Sequence, residues 1–508
     1  MVVYGAVGLV ARPIVWSDSA FGFLGWEARG DLPFNYTHVL DPADISKTVV
    51  AFMSIWTPGQ HVFPELLQAM GLSLGAAIVW VVTIFSLVGL VGWYALYRDF
   101  GFSPLTCALS VFALAVSRHV SAPFGIYVGG EVMLFAVAPW FLLLVWRLRA
   151  MPWYAPLPLL AGAACMVFAK LNGLLVSAAA IAAVVAAPRG PWFSRERIRC
   201  GVVAGLALAL IGAAFYVAWH SKGPAMVSVG GQPDWGALGK LVAVAIASTW
   251  GGAFSLTDIA AYLVLHPSRP LVGGVETIAY AFVAPALLTF ALVFLRLRDR
   301  FAEYLSFWGF MALGYGAVMV WLWIHGSAIG LEERYFRIVS LVLVPGFFET
   351  VRGFGRTGRR AALVVLIPLA AYGPASYALH AWKNLHYPLG TRGFRHQTAS
   401  REVLDLVAKL DRLGPDEAPS LVYTSFPEIG LEFRNVRVNA THAEFVKASD
   451  LQSQSFDGRV PRLAVLVHSM LVKDGKGDII LRSFRSYDPQ KWQAQPLDGA
   501  TLYTQGPR

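Results

Sequence analysis

The chain has 508 residues, of which 56% are hydrophobic and only 14% charged, and its mean hydropathy is +0.56. Ordinary globular chains carry about 25% charged residues, so an all-soluble chain is excluded, as are the disordered, collagenous and coiled-coil classes. The formal net charge is +10, yet its uneven spread argues against a nucleic-acid partner. Residues 390–508 hold 16 Lys and Arg with 14 Asp and Glu, whereas the 389 residues before them hold 25 and 17. That contrast predicts a multi-span membrane domain, 1–389, followed by a soluble α/β domain, 390–508. Cys107, Cys165 and Cys200 fall in or beside apolar stretches without CxxC or metal-ligand spacing, so neither a disulfide framework nor a zinc site is expected.

A spanning helix needs roughly 17 to 25 mainly apolar residues. Ten segments qualify: 72–97, 102–118, 130–146, 155–170, 171–187, 201–219, 273–295, 303–324, 336–350 and 361–380. An eleventh, 1–16, is short and carries Arg12 and Pro13; it is either a whole short span or the remnant of one that starts upstream. Lys170 and Asn172 interrupt the apolar run 155–187, which predicts two short helices meeting at a polar hairpin. A lysine there must snorkel or meet an anion. Fourteen arginines, among them Arg98, Arg189 and Arg360, sit in alternate short loops. Lys and Arg are retained on the cytoplasmic side, so the expectation is a mainly α, polytopic helical bundle of about eleven spans in the cytoplasmic (inner) membrane. Its N-terminus lies inside and its C-terminal α/β domain outside. On that reading the basic balance reports topology.

The first outer loop, 17–64, mixes aromatics with acids, and Phe21–Ala28 and Ile45–Ile55 read as amphipathic surface helices. Asp18 stands at the end of the first span. A partly desolvated carboxylate there is either a general base with a raised pKa or simply a helix terminator at the interface. Pro58 and Gly59 suit a tight turn before the second span, which either lifts Gln60 and His61 toward the outer face or serves only to turn and cap the chain. Glu131 opens the fourth span from outside, where it complements the helix N-terminus or takes part in chemistry. In Glu332-Glu333-Arg334-Tyr335-Phe336-Arg337 two guanidinium groups reach headgroup depth; they either hold a phosphate bidentately or pair with the neighbouring acids or with lipid headgroups. No nucleotide, dinucleotide or zinc-protease motif is found. In the tail, Ser400–Leu413 reads as an amphipathic helix, and Ser420–Thr424, Val436–Asn439, Leu463–His468 and Ile479–Phe484 as strands.

The order of these features resembles the GT-C superfamily of integral-membrane glycosyltransferases. The first span ends in Ser17-Asp18, a long outer loop follows, Trp56-Thr57-Pro58-Gly59-Gln60 leads into the second span, and an outer domain closes the chain. The outer domain makes it similar to the protein O-mannosyltransferase and lipid A aminoarabinose transferase type, without assigning a branch. The resemblance implies transfer of a sugar from a polyprenyl-phosphate carrier to a cell-envelope glycan, lipid or protein at the outer membrane face. Asp18 matches the family acid that takes the acceptor proton, and Glu131 falls near its second acid. Arg334 resembles the late-loop basic residue on the carrier phosphate, with Arg337 and Lys170 as further candidates and Gln60 and His61 on the substrate side. The D-x-D variant of the first loop is absent, since Ser19 and Ala20 follow Asp18, which puts a divalent metal requirement in question; no other cofactor is implied. Independently of the resemblance, sugar transfer through an oxocarbenium-like state needs a base for the incoming hydroxyl and positive charge on the departing phosphate. A flippase for a lipid-linked substrate would place charges at mid-membrane; here they cluster at outer span ends, which favours the enzyme. A non-catalytic relative serving assembly would tolerate loss of Asp18.

Overall fold

The computed structural model describes residues 1–505 apart from Pro42, 188–193, 224–231, 265–274, 328, 415–416, 441–454 and 485–486. Arg189 and the start of the predicted span 273–295 therefore lie outside the described residues.

In chain order, α1 (Val2–Ala11) leads through the short strand β1 (Ile14–Val15) into α2 (Ser17–Glu27), the hairpin β2 (Tyr36–Leu40) and β3 (Thr48–Phe52), and α3 (Gly59–Ala69). Then come α4 (Leu74–Asp99), α5 (Pro104–Ala115), α6 (Arg118–Ser121), β4 (Ile126–Tyr127), α7 (Gly129–Arg147), α8 (Pro156–Ala169), α9 (Gly173–Ala186) and α10 (Arg195–Ala218). The helical body continues through α11 (Leu238–Gly251), α12 (Leu256–Val264), α13 (Val275–Leu297), α14 (Ala302–Ile324), α15 (Arg337–Arg352) and α16 (Arg356–His386). Among the described residues six helices are long and apolar enough to cross a membrane: α4, α7, α10, α13, α14 and α16. The count is seven if α5 and the segment after it, bent by 54°, make one broken span. The expected eleven are thus not confirmed among the described residues. Segments 155–170 and 171–187 fold as the 14-residue helices α8 and α9, each about 21 Å long at 1.5 Å per residue against a bilayer core of ~30 Å. Hydropathy registers apolarity; the break at Lys170 sets the length.

The chain divides into two compact units, one of Met1, Thr83–Ala122 and Gly130–Ala378, the other of Val2–Val82, Pro123–Gly129 and Leu379–Arg508. In the first, α9 packs against α14, and α11 against α13 and α14. Trp93, Tyr97, Phe102, Phe307 and Phe336 are fully buried in its core. The start of α5 shows how the sequence places a helix end: Ser103 Oγ accepts from Thr106 N at 3.2 Å and Pro104 fills the first helical position, where no N–H is needed.

The second unit contains α17 (Arg401–Leu410), β5 (Leu421–Thr424), α18 (Pro427–Gly430), β6 (Val438–Ala440), β7 (Leu463–His468), α19 (Ser469–Lys473), α20 (Lys476–Ser483), β8 (Gln493–Leu497) and β9 (Ala500–Gln505). The five strands form one sheet in the order β6-β5-β7-β9-β8, parallel from β6 to β7 and antiparallel beyond. Successive strand residues face opposite sides. Val422, Ala464 and Leu466 pack with Val403 and Val407 of α17, while Tyr423, Val465 and Val467 pack with Ile480 and Leu481 of α20. The small α/β tail is therefore present, with Ser400 capping α17 through Val403 N at 3.3 Å. Two expectations are corrected. Ile479–Phe484 belongs to α20 and its end, because the two buried apolar residues Ile480 and Leu481 suffice for a short amphipathic helix over the sheet. Ile45–Ile55 holds strand β3, paired with β2 from Tyr36↔Phe52 to Leu40↔Thr48; β-branched Thr48, Val49 and Val50 favour the extended chain. The helix expected at Phe21–Ala28 is present as α2. Pro58 and Gly59 begin the separate helix α3, which ends at Ala69, and Gly71 (φ +95°) turns the chain before α4 starts.

Candidate functional site

The first unit concentrates charge around Glu131. This residue lies in the first turn of α7, where a carboxylate suits the positive end of the helix, and is only 5% exposed. Two cations hold it: Lys170 Nζ pairs with its Oε1, and Arg337 Nη1 stands 3.3 Å from its Oε2. Lys170 occupies the break between α8 and α9 in an extended conformation (φ −163°), so the expected polar hairpin exists and its lysine meets an anion. Arg337 opens α15. Its Nε donates to the Gly252 carbonyl at 3.3 Å and its Nη2 to Ser255 Oγ at 3.4 Å, which fixes the guanidinium plane. Two cations on one carboxylate, Arg337 buried and Lys170 half-buried, leave an excess of positive charge within this triad, suited to an incoming anion.

The turn before Arg337 is anchored separately. Glu333, 2% exposed, accepts from Thr257 N at 3.0 Å and Asp258 N at 3.3 Å, capping the start of α12. Arg334 pairs with Glu332: its Nη2 donates to Oε1 at 3.0 Å, and its Nε stands 2.6 Å from Oε2. Its guanidinium carbon and Lys170 Nζ each lie 5.4 Å from the centre of the Tyr335 ring. Of the residues singled out in the sequence, Glu131, Lys170 and Arg337 are thus in direct contact, and Arg334 shares Tyr335 with Lys170. Among the described residues, no three His, Cys, Asp or Glu side chains gather so as to hold a metal ion.

The other candidates belong to the second unit. Asp18 lies in the first turn of α2, one residue before Ser19, whose Oγ accepts from Gly129 N at 3.2 Å. Gln60 is 7% exposed and its carbonyl accepts from the Tyr127 hydroxyl at 2.6 Å. His61 is fully buried, edge-on to Phe23 with ring centres 5.4 Å apart, and burial pushes its imidazole down to about 3. Gly22 faces that ring, and any Cβ there would collide with it. Short strands β1 and β4, paired at Ile14↔Ile126 and Val15↔Tyr127, tie the beginning of α2 to Tyr127. Sequence reasoning missed Gly252 and Ser255 as partners of Arg337 and Glu333 as the cap of α12; no local spacing marks contacts about 80 residues apart in the chain.

No protein-family model matches the sequence, and no characterised protein matches it by sequence. Solved structures do match in fold. ArnT from Cupriavidus metallidurans bound to undecaprenyl phosphate superposes with a TM-score of 0.55 at 12% identity, over 99% of this chain and 96% of that one. The apo state of the same protein gives 0.53 at 12% identity, over 99% and 97%. The mycobacterial arabinofuranosyltransferase AftD, mutant R1389S, gives a TM-score of only 0.46 at 14% identity, over 92% of this chain and 36% of that one. The chain thus has the fold of ArnT, and its six long apolar helices among the described residues mark it as an integral membrane protein.

Proposed function

We propose that this protein is a membrane glycosyltransferase that moves a sugar from a polyprenyl-phosphate carrier to an acceptor at the outer face of the cytoplasmic membrane, with its N-terminus inside. The observation that carries the reading is the buried cluster in which Glu131 holds Lys170 and Arg337. A polyprenyl phosphate becomes negatively charged as its bond to the sugar breaks, and fixed cations in a poorly solvated site stabilise that charge most effectively. The fold supports the donor class, because a protein of this fold is bound to undecaprenyl phosphate.

In this reading the acceptor hydroxyl attacks the anomeric carbon, the carbon–oxygen bond to the phosphate breaks, and the carrier leaves as its phosphate. Asp18 takes the hydroxyl proton; Lys170 and Arg337 hold the departing phosphate, with Arg334 at its edge. Glu131 sets the two cations in place. Gln60 and His61 shape the wall behind α2. The proton and the leaving group are both accounted for without a nucleotide.

The test is transfer from a radiolabelled short-chain polyprenyl-phosphate sugar by the purified protein in proteoliposomes. Asp18→Asn is expected to lower turnover by about 10²- to 10⁴-fold, the usual worth of general base catalysis, with unchanged thermal unfolding. Full activity in that variant removes Asp18 as the base. Translocation of the labelled lipid without transfer makes the protein a flippase instead.

A further inference from the structure

A cavity of about 400 Å³ opens within the second unit, where the C-terminal end of α2 meets α3 and the stretch around residue 392. Its polar wall is made of Glu27, the last residue of α2, Glu65 and Gln68 on α3, and Thr391, Arg392 and Arg434. Arg392 organises it. Its side chain is 8% exposed, and its Nη2 pairs with Glu27 Oε1 and donates to Gln68 Oε1 at 3.2 Å. Thr391 is already committed, since its N and Oγ1 donate to Glu432 Oε2 at 2.7 and 2.6 Å. Three buried atoms of this wall lack a well-formed hydrogen bond, Glu65 Oε1, Gln68 Nε2 and Arg392 Nε, the Glu65 carboxyl and the Gln68 amide making only a weak contact with each other. Poorly satisfied polar atoms are costly to bury, so three around one cavity point to a polar ligand.

The balance of charge says which kind. An anion drawn by Arg392 and Arg434 would also meet Glu27 and Glu65, and a cation would meet the reverse. Burial and the charge of Glu27 push Glu65 up to about 7, with Arg392 and the nearby Gln68 amide holding it back. Near neutrality its carboxyl therefore both donates and accepts. A neutral polyol matches this set, because each of its hydroxyls donates one hydrogen bond and accepts others, while Gln68 and Arg392 contribute donors only.

We infer that this cavity is a saccharide subsite that grips a neutral sugar residue through Glu65, Gln68 and Arg392. Asp18 and Glu27 stand near opposite ends of α2, about 14 Å apart along the helix at 1.5 Å per residue. The sugar in the cavity is therefore not the one that reacts at Asp18. Its assignment to the acceptor chain rests on the glycosyltransferase reading; its binding does not. Binding energy realised on a remote sugar is available to orient the reacting one.

The full-length protein in detergent micelles is tested by saturation-transfer NMR with D-arabinose, D-mannose, D-glucose, D-galactose and N-acetylglucosamine, with inorganic phosphate and calcium chloride as competitors. At least one sugar is expected to bind, undisturbed by phosphate or calcium, and Gln68→Leu and Glu65→Leu are expected to weaken it about ten-fold or more, the worth of one buried hydrogen bond. Glu65→Gln, which preserves shape and hydrogen bonding, keeps it. Should the leucine variants unfold, Gln68→Glu, which removes only the amide donor, carries the same expectation. The subsite is overturned if no sugar binds, if binding is unchanged in Gln68→Leu or Gln68→Glu, or if phosphate or calcium displaces the sugar. Asp18→Asn is expected to retain sugar binding while losing transfer. A wild-type protein that binds sugar but transfers none sinks the enzyme reading alone; an active protein that binds no sugar sinks the subsite alone.

Discussion

Two regions of this molecule bury charge, and they treat it in opposite ways. Around Glu131 the charged groups are tied to one another: the carboxylate takes Lys170 and Arg337, and Arg337 spends its remaining nitrogens on Gly252 and Ser255. Around Glu65 charges of both signs share one wall but the hydrogen bonds do not close well, leaving Glu65 Oε1, Gln68 Nε2 and Arg392 Nε without a well-formed partner. On the proposed reading, the first arrangement fixes geometry for an anion that arrives during the reaction, and the second leaves donors and an acceptor for a neutral ligand. Buried charge alone does not tell the two apart. The count of satisfied partners does.

The contrast breaks first at Glu131. Removing one partner of a buried ion pair leaves the other uncompensated, which costs about 3–5 kcal/mol. Glu131→Leu strands two cations, so a large fall in unfolding temperature is expected by scanning calorimetry in detergent, with partial recovery in the double variant Glu131→Leu/Lys170→Met. An unfolding temperature equal to that of the wild type would mean that the cluster is solvated and not a fixed cradle. The corresponding removal of charge at Glu65 is expected to be mild, because that carboxyl is already near its neutral form.

How much of this was legible in the sequence follows from the range of each interaction. Apolar periodicity is local, so the helical body, α2 and the amphipathic α17 could be read directly. Lys170 stood out because a lysine between two apolar runs needs an anion, and Glu131 was visible as an acid at a helix start. Their pairing was not, since 39 residues separate them. The hairpin β2–β3 was misread because Ile45–Ile55 carries apolar residues at spacings that fit a helix, and only pairing with Tyr36–Leu40 decides for the strand. The cavity around Arg392 was invisible for the same reason: Arg392 and Glu27 lie 365 positions apart.

Within the second unit, Gly22→Ala sharpens the comparison from the packing side. The added Cβ would run into the His61 ring, and overpacking of this kind costs roughly 1–3 kcal/mol. A loss of that size in thermal unfolding is expected, and Gly22→Ala combined with His61→Ala is expected to recover part of it. No loss would mean that α2 and α3 are free to separate.

Glu65 also gives a pH signature. Its carboxyl is raised from 4.5 to about 7 in the fold, so between those values the folded chain binds more protons than the unfolded one, and this contribution to stability falls as pH rises from 4.5 toward 7 and levels off above it. Glu65→Gln removes that fall, so its unfolding temperature should gain on the wild type over that interval. Parallel curves for the two proteins would show that Glu65 does not titrate there.

The smallest expected change in stability is at Arg334, and it tests whether the edge of the first cluster is structural or functional. Its pair with Glu332 joins residues two apart, with side chains 24% and 48% exposed, and pairs of that exposure are worth about 0–1 kcal/mol. Arg334→Ala should therefore leave unfolding almost unchanged. If the guanidinium meets the carrier phosphate, KM for the polyprenyl-phosphate sugar should rise about ten-fold, the worth of one charge-assisted hydrogen bond, while the response to acceptor concentration stays as it was. Arg334→Lys keeps the charge but not the two-pronged geometry, so recovery by lysine would assign the role to charge and failure to recover would assign it to the fork. An unchanged KM in Arg334→Ala would confine carrier recognition to Lys170 and Arg337, the two cations that Glu131 already holds.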